Sequence, residues 1–276
     1  MTRIKLIVAV FFIANLGALP VVAQSAEKDS TVVEIEPDKV DKIWDKAPHN
    51  AFTDLIRFNN AFYCAFREAS GHVVNKGQND GTVRIIKSSD GQEWTSVALL
   101  EKQGIDLRDP KLSVTPENRL MVIMGGSVYK EGELIERIPQ VSFSDESGSA
   151  FSKPEKVSID PELRNSWDWI WRVTWNNGKG YAIDYQLQNR ECGDRGSADA
   201  TASIYLVKTT DGIYYEKVSH LEISGFPNES TIRFDENDKM YVVVRREGGD
   251  QTGILATATA PYKKWDFHKL SKLGRL

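Results

Sequence analysis

What the chain lacks narrows the reading first. Two cysteines in 276 residues are too few for a disulfide scaffold, so the fold must rest on an apolar core. The four histidines, His49, His72, His220 and His268, are scattered without paired-ligand spacing, so neither a metal nor another cofactor is expected. No Gly-rich phosphate loop opens a helix and no Gly-x-Ser-x-Gly elbow occurs, which argues against nucleotide-binding and α/β-hydrolase chemistry. Positive charge is not in excess. The formal net charge is −4, a balance that does not favour nucleic acid or anionic lipid as a partner. A helical period is also missing: from Ala51 onward no convincing amphipathic helix can be traced.

One long apolar run exists, and it stands at the beginning. Met1 to Lys5 is short and basic, Leu6 to Leu19 is almost wholly apolar, and Pro20 to Gln24 supplies small residues suited to cleavage. This predicts a secretory signal peptide over residues 1–23 and a secreted or periplasmic protein. As a membrane span the run is marginal in length and has no basic stop-transfer flank, so no membrane association is expected after cleavage. Residues 24–48 read as a charged leader with one strand at Val32–Ile35, and residues 49–276 as one domain. Export would permit a bond between Cys64 and Cys192, but Cys64 lies in the apolar run FYCAF and reads as a core thiol.

What is present is a repeated turn. KSSDGQEW (87–94) returns as SFSDESGSAF (142–151), KTTDGIYY (208–215) and a worn ATATAPYKKW (256–265). Each places Ser or Thr before an Asp or a turn and an aromatic residue after it. In the better copies the carboxylate can accept backbone N–H bonds, Gly takes positive φ and the ring packs beneath. Copies roughly 50 to 65 residues apart fall in or a little above the range of solenoids, propellers and arrays. Between the turns run short strands bounded by Gly, Asn, Asp and Pro. Blade one reads TDLIRF, AFYCAFRE, GTVRIIKS and WTSVALLE; blade two DPKLSVT, RLMVIMGG, ERIPQVSFS and EKVSI. Blade three reads WRVTW, GYAIDYQ, ASIYLVKT and YEKVSHLEI; blade four STIRF, KMYVVVRRE, GILATAT and DFHKLSKL. The expected fold class is all-β, a β-propeller of four-stranded antiparallel blades. A β-sandwich would not repeat one turn motif at the same place in each unit. Four blades are few for a closed ring, and Gly274-Arg275-Leu276 reads as the next linker, so five or six blades are expected in the complete protein.

The SxDG…W turns, export signal and propeller period resemble the sialidase-type, Asp-box (BNR) glycoside hydrolase superfamily, from about Ala51 to Leu276. In such a meander the starts of strands 1 and 3 and the ends of strands 2 and 4 share one face. The 3–4 turns lie on the opposite side, away from any expected pocket. On the shared face stand Arg67, Arg108, Asp109, Trp171, Arg172, Glu229 and Arg246, with His72 and Asp80 in the 2–3 loop of blade one. Aligning AFRE with VRRE makes Arg67 and Arg246 equivalent. Guanidinium forks, carboxyl groups and a Trp face suit an acidic sugar. Bland alternatives stand beside each. Asp80 is also the Asp of an Asn-Asp-Gly hairpin turn, Arg67–Glu68 and Arg246–Glu247 read equally as surface ion pairs, and Arg108-Asp109 can brace a linker. Glu229 can be a satisfied carboxylate bonding a neighbouring blade, and most tryptophans are packing rings.

The resemblance implies an acid/base Asp in the blade-one loop, where Asp80 sits, and a Glu partnering a Tyr nucleophile, for which Glu229 is the candidate. The Arg-Ile-Pro that usually opens blade one is replaced by Asn50-Ala51-Phe52-Thr53-Asp54. Arg137-Ile138-Pro139 has those letters but falls in the third strand of blade two. Leu107-Arg108-Asp109-Pro110-Lys111 also resembles the RDP motif of five-bladed furanosidases, with Asp54 as a candidate for their blade-one Asp and Glu191-Cys192 matching their Glu-Cys pair in letters only. The expectation is therefore a secreted exo-glycosidase acting on a terminal acidic sugar of a glycan. Asp80, Asp109 and Glu229 are the catalytic candidates; Arg67, Arg108, Arg172, Arg246 and Trp171 are the substrate-binding ones. The alternatives are a non-catalytic glycan-binding propeller or a furanosidase-like glycosidase.

Overall fold

The computed structural model describes residues 39–72, 81–187 and 202–271. The signal peptide, the strand expected at Val32–Ile35, Asp80, Glu191 and Cys192 lie outside the described residues. The compact unit that begins at Lys42 is all-β, with antiparallel blades arranged as a propeller.

Blade one is β1 (His49–Phe58), β2 (Ala61–Ala69), β3 (Thr82–Ser88) and β4 (Thr95–Leu100). Blade two has β5 (Asp106–Val114), β6 (Leu120–Lys130), β7 (Glu133–Arg137), β8 (Gln140–Phe143), β9 (Glu155–Lys156) and β10 (Ser158–Ile159) in chain order. Blade three is β11 (Asp168–Asn176), β12 (Lys179–Leu187), β13 (Ala202–Thr209) and β14 (Tyr214–Leu221); blade four is β15 (Pro227–Phe234), β16 (Met240–Arg246), β17 (Ile254–Ala258) and β18 (Asp266–Lys269). Blade two departs from the expectation. The run ERIPQVSFS is two strands, because Pro139 has no N–H to give a ladder; β7 extends the β6 hairpin and β8 resumes the sheet. The run EKVSI also divides: β9 pairs with β8, while β10 crosses to blade three and pairs in parallel with β14.

Successive inner strands β1, β5, β11 and β15 are neighbours, and an apolar cluster fills each junction between successive blades. Tyr63, Ile85, Leu107 and Val122 lie between blades one and two, Ile123, Val141, Ile170 and Tyr215 between two and three, and Ile183, Leu206, Val242 and Ala256 between three and four. Alternate side chains of a strand point to opposite faces. A strand sandwiched between two blades must therefore be apolar on both, which is why β6 begins with the continuous run Leu120 to Met124, all buried.

The repeated turns are built as expected. Asp90 Oδ1 accepts from the amides of Gln92 and Glu93, and Ser88 Oγ accepts from that of Gly91, at 2.8, 3.1 and 2.8 Å. Asp211 and Thr209 repeat the set with Ile213, Tyr214 and Gly212. Gly91 and Gly212 take φ of 81° and 77°, the left-handed conformation that a side chain disfavours. From the second copy on, each turn grips the preceding blade: Ser147 O accepts from Tyr63 Oη, Gly212 lies against Met121 and Phe143, and Tyr262 O accepts from Ser219 Oγ.

Part of the stretch read as leader belongs to blade one. Trp44 covers Cys64, Phe66 and Ile86, and its indole N–H donates to Glu68 Oε1 at 2.6 Å. Cys64 is a buried free thiol, pushed up to about 11 by burial and then by Asp54.

Candidate functional site at the inner strands

The same irregularity occurs in all four inner strands. Between Ala51 and Asp54, Arg108 and Lys111, Ile170 and Val173, and Pro227 and Ser230, the inner strand advances three residues while its partner advances two. Each is a β-bulge, a device that re-aims side chains and recurs next to active sites. Within the bulges, Phe52-Thr53, Asp109-Pro110, Trp171-Arg172 and Asn228-Glu229 each oppose a single partner residue, and Phe52 and Asp109 take φ of 60° and 49°. Equivalent positions follow: Phe52, Asp109, Trp171 and Asn228 form one tier, Thr53, Pro110, Arg172 and Glu229 the next.

Charged groups from all four blades meet here. Arg172 of blade three grips Asp54 of blade one with both nitrogens, Nη2–Oδ1 at 2.6 Å and Nη1–Oδ2 at 3.1 Å. Blade two adds the Leu112 amide, which donates to Asp54 Oδ2 at 2.8 Å. This two-point geometry is the stronger form of carboxylate recognition. Lys111 is 5 % exposed. Its Nζ lies 4.3 Å from the centroid of Trp171 and donates to Pro110 O at 3.2 Å. Burial pulls the Lys111 ammonium below the ordinary lysine range, while Asp109, Asp54 and Glu229 act in the opposite sense. Asp109 is half-buried as a residue, but its Oδ1 is sealed from solvent and has no hydrogen-bond partner. Burial pushes its carboxyl above the usual carboxylate range, with Arg108 and Lys111 opposing and Glu229 assisting. Glu229 Oε2 accepts from Arg245 at 2.6 Å, and the same nitrogen reaches Glu247. Arg108 reaches Asp106 Oδ2 at 3.5 Å and lies over the Phe52 ring, 5.6 Å from its centroid.

The structure thus brings together Arg108, Asp109, Trp171, Arg172 and Glu229, and adds Asp54, Lys111 and Arg245. Two expected ligands are not presented. Arg67 is 0 % exposed; it pairs with Asp106 at 2.8 Å and donates to Gly71 O. Arg246 is buried and donates to Thr252 O and Asp250. The two are equivalent, as the alignment of AFRE with VRRE suggests, since each lies opposite the residue that opens its bulge. Their shared role is to brace loops inside the protein. Nor is Arg67–Glu68 a surface pair: Glu68 points the other way, to Arg84 and Trp44. At Gly81, a Cβ would meet Asp106 Oδ1 at 1.7 Å. That glycine is needed for close approach rather than for positive φ.

Sequence reasoning missed Arg245 because the bulge fixes which of two adjacent arginines faces Glu229, and a shift of one residue reverses every side chain. A regularity was nonetheless visible: Asp54, Lys111 and Glu229 all sit at the starts of first strands. The turn side is also not free of cavities. A cleft of about 680 Å³ lies there, lined by Glu117, Arg119, Asp145 and Asp211. Among the described residues no three His, Cys, Asp or Glu side chains gather to hold a metal ion.

No protein-family model matches the sequence, and no curated protein matches it. Solved structures do match in fold. A protein of unknown function from Dyadobacter fermentans superposes with a TM-score of 0.66 at 15% identity, over 80% of this chain and 69% of that one. The NanB sialidase of Streptococcus pneumoniae gives 0.61 at 7%, over 83% and 53%. Zg3597, a family 117 glycoside hydrolase of Zobellia galactanivorans, gives 0.57 at 12%, over 80% and 68%. At these identities the likeness is one of fold, and the fold is that of propellers that include sialidases and other glycoside hydrolases.

Proposed function

We propose that this protein is an exported glycoside hydrolase that removes a terminal acidic sugar from a glycan at the bulged ends of its inner strands. The observation that carries the reading is the convergence of Asp54, Asp109 and Glu229, from three blades, with Arg108, Lys111 and Arg172 among them. Carboxyl groups whose surroundings differ can divide acid and base work. Asp109, whose carboxyl burial shifts towards the protonated form, is the donor we assign to the leaving oxygen; Asp80 is the other candidate donor. Glu229, anchored by Arg245, polarises the attacking group. Arg108 and Arg172 balance the sugar's negative charge, and Trp171 offers a partly buried ring beside them.

A second reading, the furanosidase-like one, gains from Asp54. That resemblance calls for an Asp in the first strand of blade one, and Asp54 is joined to the cluster through Arg172. Glu229 would then replace Glu191 as the third carboxylate.

The test is a panel of chromogenic sialosides, uronides and furanosides run against the wild type, Asp109→Asn and Glu229→Gln. Loss of a general acid–base group should lower kcat by about 10²–10⁴-fold. Wild-type turnover on any one class that survives unchanged in both variants refutes the assignment. No turnover on any class, with glycan binding kept, favours the lectin alternative.

A further inference from the structure

A second cleft, of about 470 Å³, is lined by Arg137, Lys156, Arg164, Asn165, Asp168 and Tyr214, among others. It opens where β7 ends and β11 begins, and extends along β9 and β10 to Tyr214 at the start of β14. Its size falls within the range of ligand pockets. Its charge is unlike the protein's: three cations face Glu136 and Asp168, in a chain of net charge −4. Lys156 and Arg164 are exposed; both act on the buried Asp168 carboxyl from a distance, and their head groups face solvent. The Arg137 guanidinium lies over the Trp169 ring, 5.1 Å from its centroid. Asp168, at the floor, is 4 % exposed, and its oxygens already accept from Asn165 N and Gln186 Nε2. Asp168 also stands three residues before Trp171, about 10 Å along an extended strand, a distance that a short oligosaccharide bridges.

We infer that this cleft is a second anion subsite, which takes a carboxylate- or sulfate-bearing sugar further along the glycan whose terminal unit lies at the bulges. The inference rests on the glycosidase reading for its glycan, and on the cleft's own charge for its anion. Guanidinium and ammonium groups gathered in one concavity recognise carboxylate and sulfate alike.

Calorimetric titration at low salt separates the possibilities, with galacturonate, tetragalacturonate, a sulfated galactan tetrasaccharide and inorganic sulfate as probes. At least one charged tetrasaccharide should bind tenfold or more tighter than galacturonate. Lys156→Ala/Arg164→Ala should erase that margin while leaving the affinity for galacturonate as it is and thermal unfolding cooperative. Loss confined to tetragalacturonate assigns the carboxylate, and loss confined to the galactan assigns the sulfate. A double variant that keeps the margin overturns the subsite, as does a wild type that shows none. If the glycosides of the preceding test are all inert but sulfate binding disappears in the double variant, the cleft stands as an anion site and the glycan reading alone falls.

Discussion

At the scale of single residues, two buried carboxylate systems make predictions of opposite use. Asp109 is proposed to act as an acid, so activity should fall as pH rises through its elevated pKa. Lys111 and Arg108 act to lower that pKa; Lys111→Met removes one cation, lets it rise further, and should move the alkaline limb of kcat/KM to higher pH. An unmoved limb would separate Lys111 from the chemistry. Asp168 and Asp184 make the second system. Both are buried, and the single Gln186 Nε2 reaches Leu163 O, Asp168 Oδ1 and Asp184 Oδ2, three acceptors for two hydrogens. Burial pushes Asp168 up to about 6, and burial together with Asp168 raises Asp184 well above the carboxylate range. A group whose folded pKa exceeds its unfolded value, about 4, stabilises below that unfolded value and loses its contribution as pH rises through the folded one. The melting temperature should therefore decline as pH climbs from about 4 through about 6. Asp184→Asn should flatten that slope, as thermal melts across the range would show.

At the scale of strands and turns, the buried Arg67–Asp106 pair should be costly to break from one side. Arg67→Met leaves the buried Asp106 carboxylate with Arg108 alone, at 3.5 Å, and should cost about 3 kcal/mol, part of it recovered in Arg67→Met/Asp106→Leu; denaturant melts of the three proteins decide. Gly125→Ala should also destabilise, by about 1–3 kcal/mol, because its Cβ would fall 2.2 Å from the Trp169 ring. Strands and turns were legible because each is specified locally, by alternation, by Asp-Gly chemistry and by the doubly buried run of β6. Pairing partners were not. Nothing within Ser158-Ile159 says that its neighbour is Tyr214-Tyr215, and nothing within Arg245-Arg246 says which faces Glu229. The site was legible as a place, the starts of the first strands, but not as a set of side chains, because the bulges that aim them depend on registers between strands.

At the scale of the whole propeller, the Asp54–Arg172 pair ties blade one to blade three across 118 residues of sequence, with the Leu112 amide of blade two on the same carboxylate. Arg172→Met should therefore weaken cooperativity as well as stability: a loss of about 2 kcal/mol, with hydrogen exchange of β1 accelerating ahead of β6. Uniform acceleration would mean that the pair is not a tie between blades. The fourfold bulge has another consequence. Eight residues, two per blade, stand outside the regular ladder at one end of the sheets, and of these Trp171 also packs against the cluster between blades three and four. With Trp171 and Arg172 kept, variation at the other six addresses can respecify what the protein takes hold of at little cost to the scaffold. A combinatorial library confined to them should yield mostly folded proteins of altered selectivity.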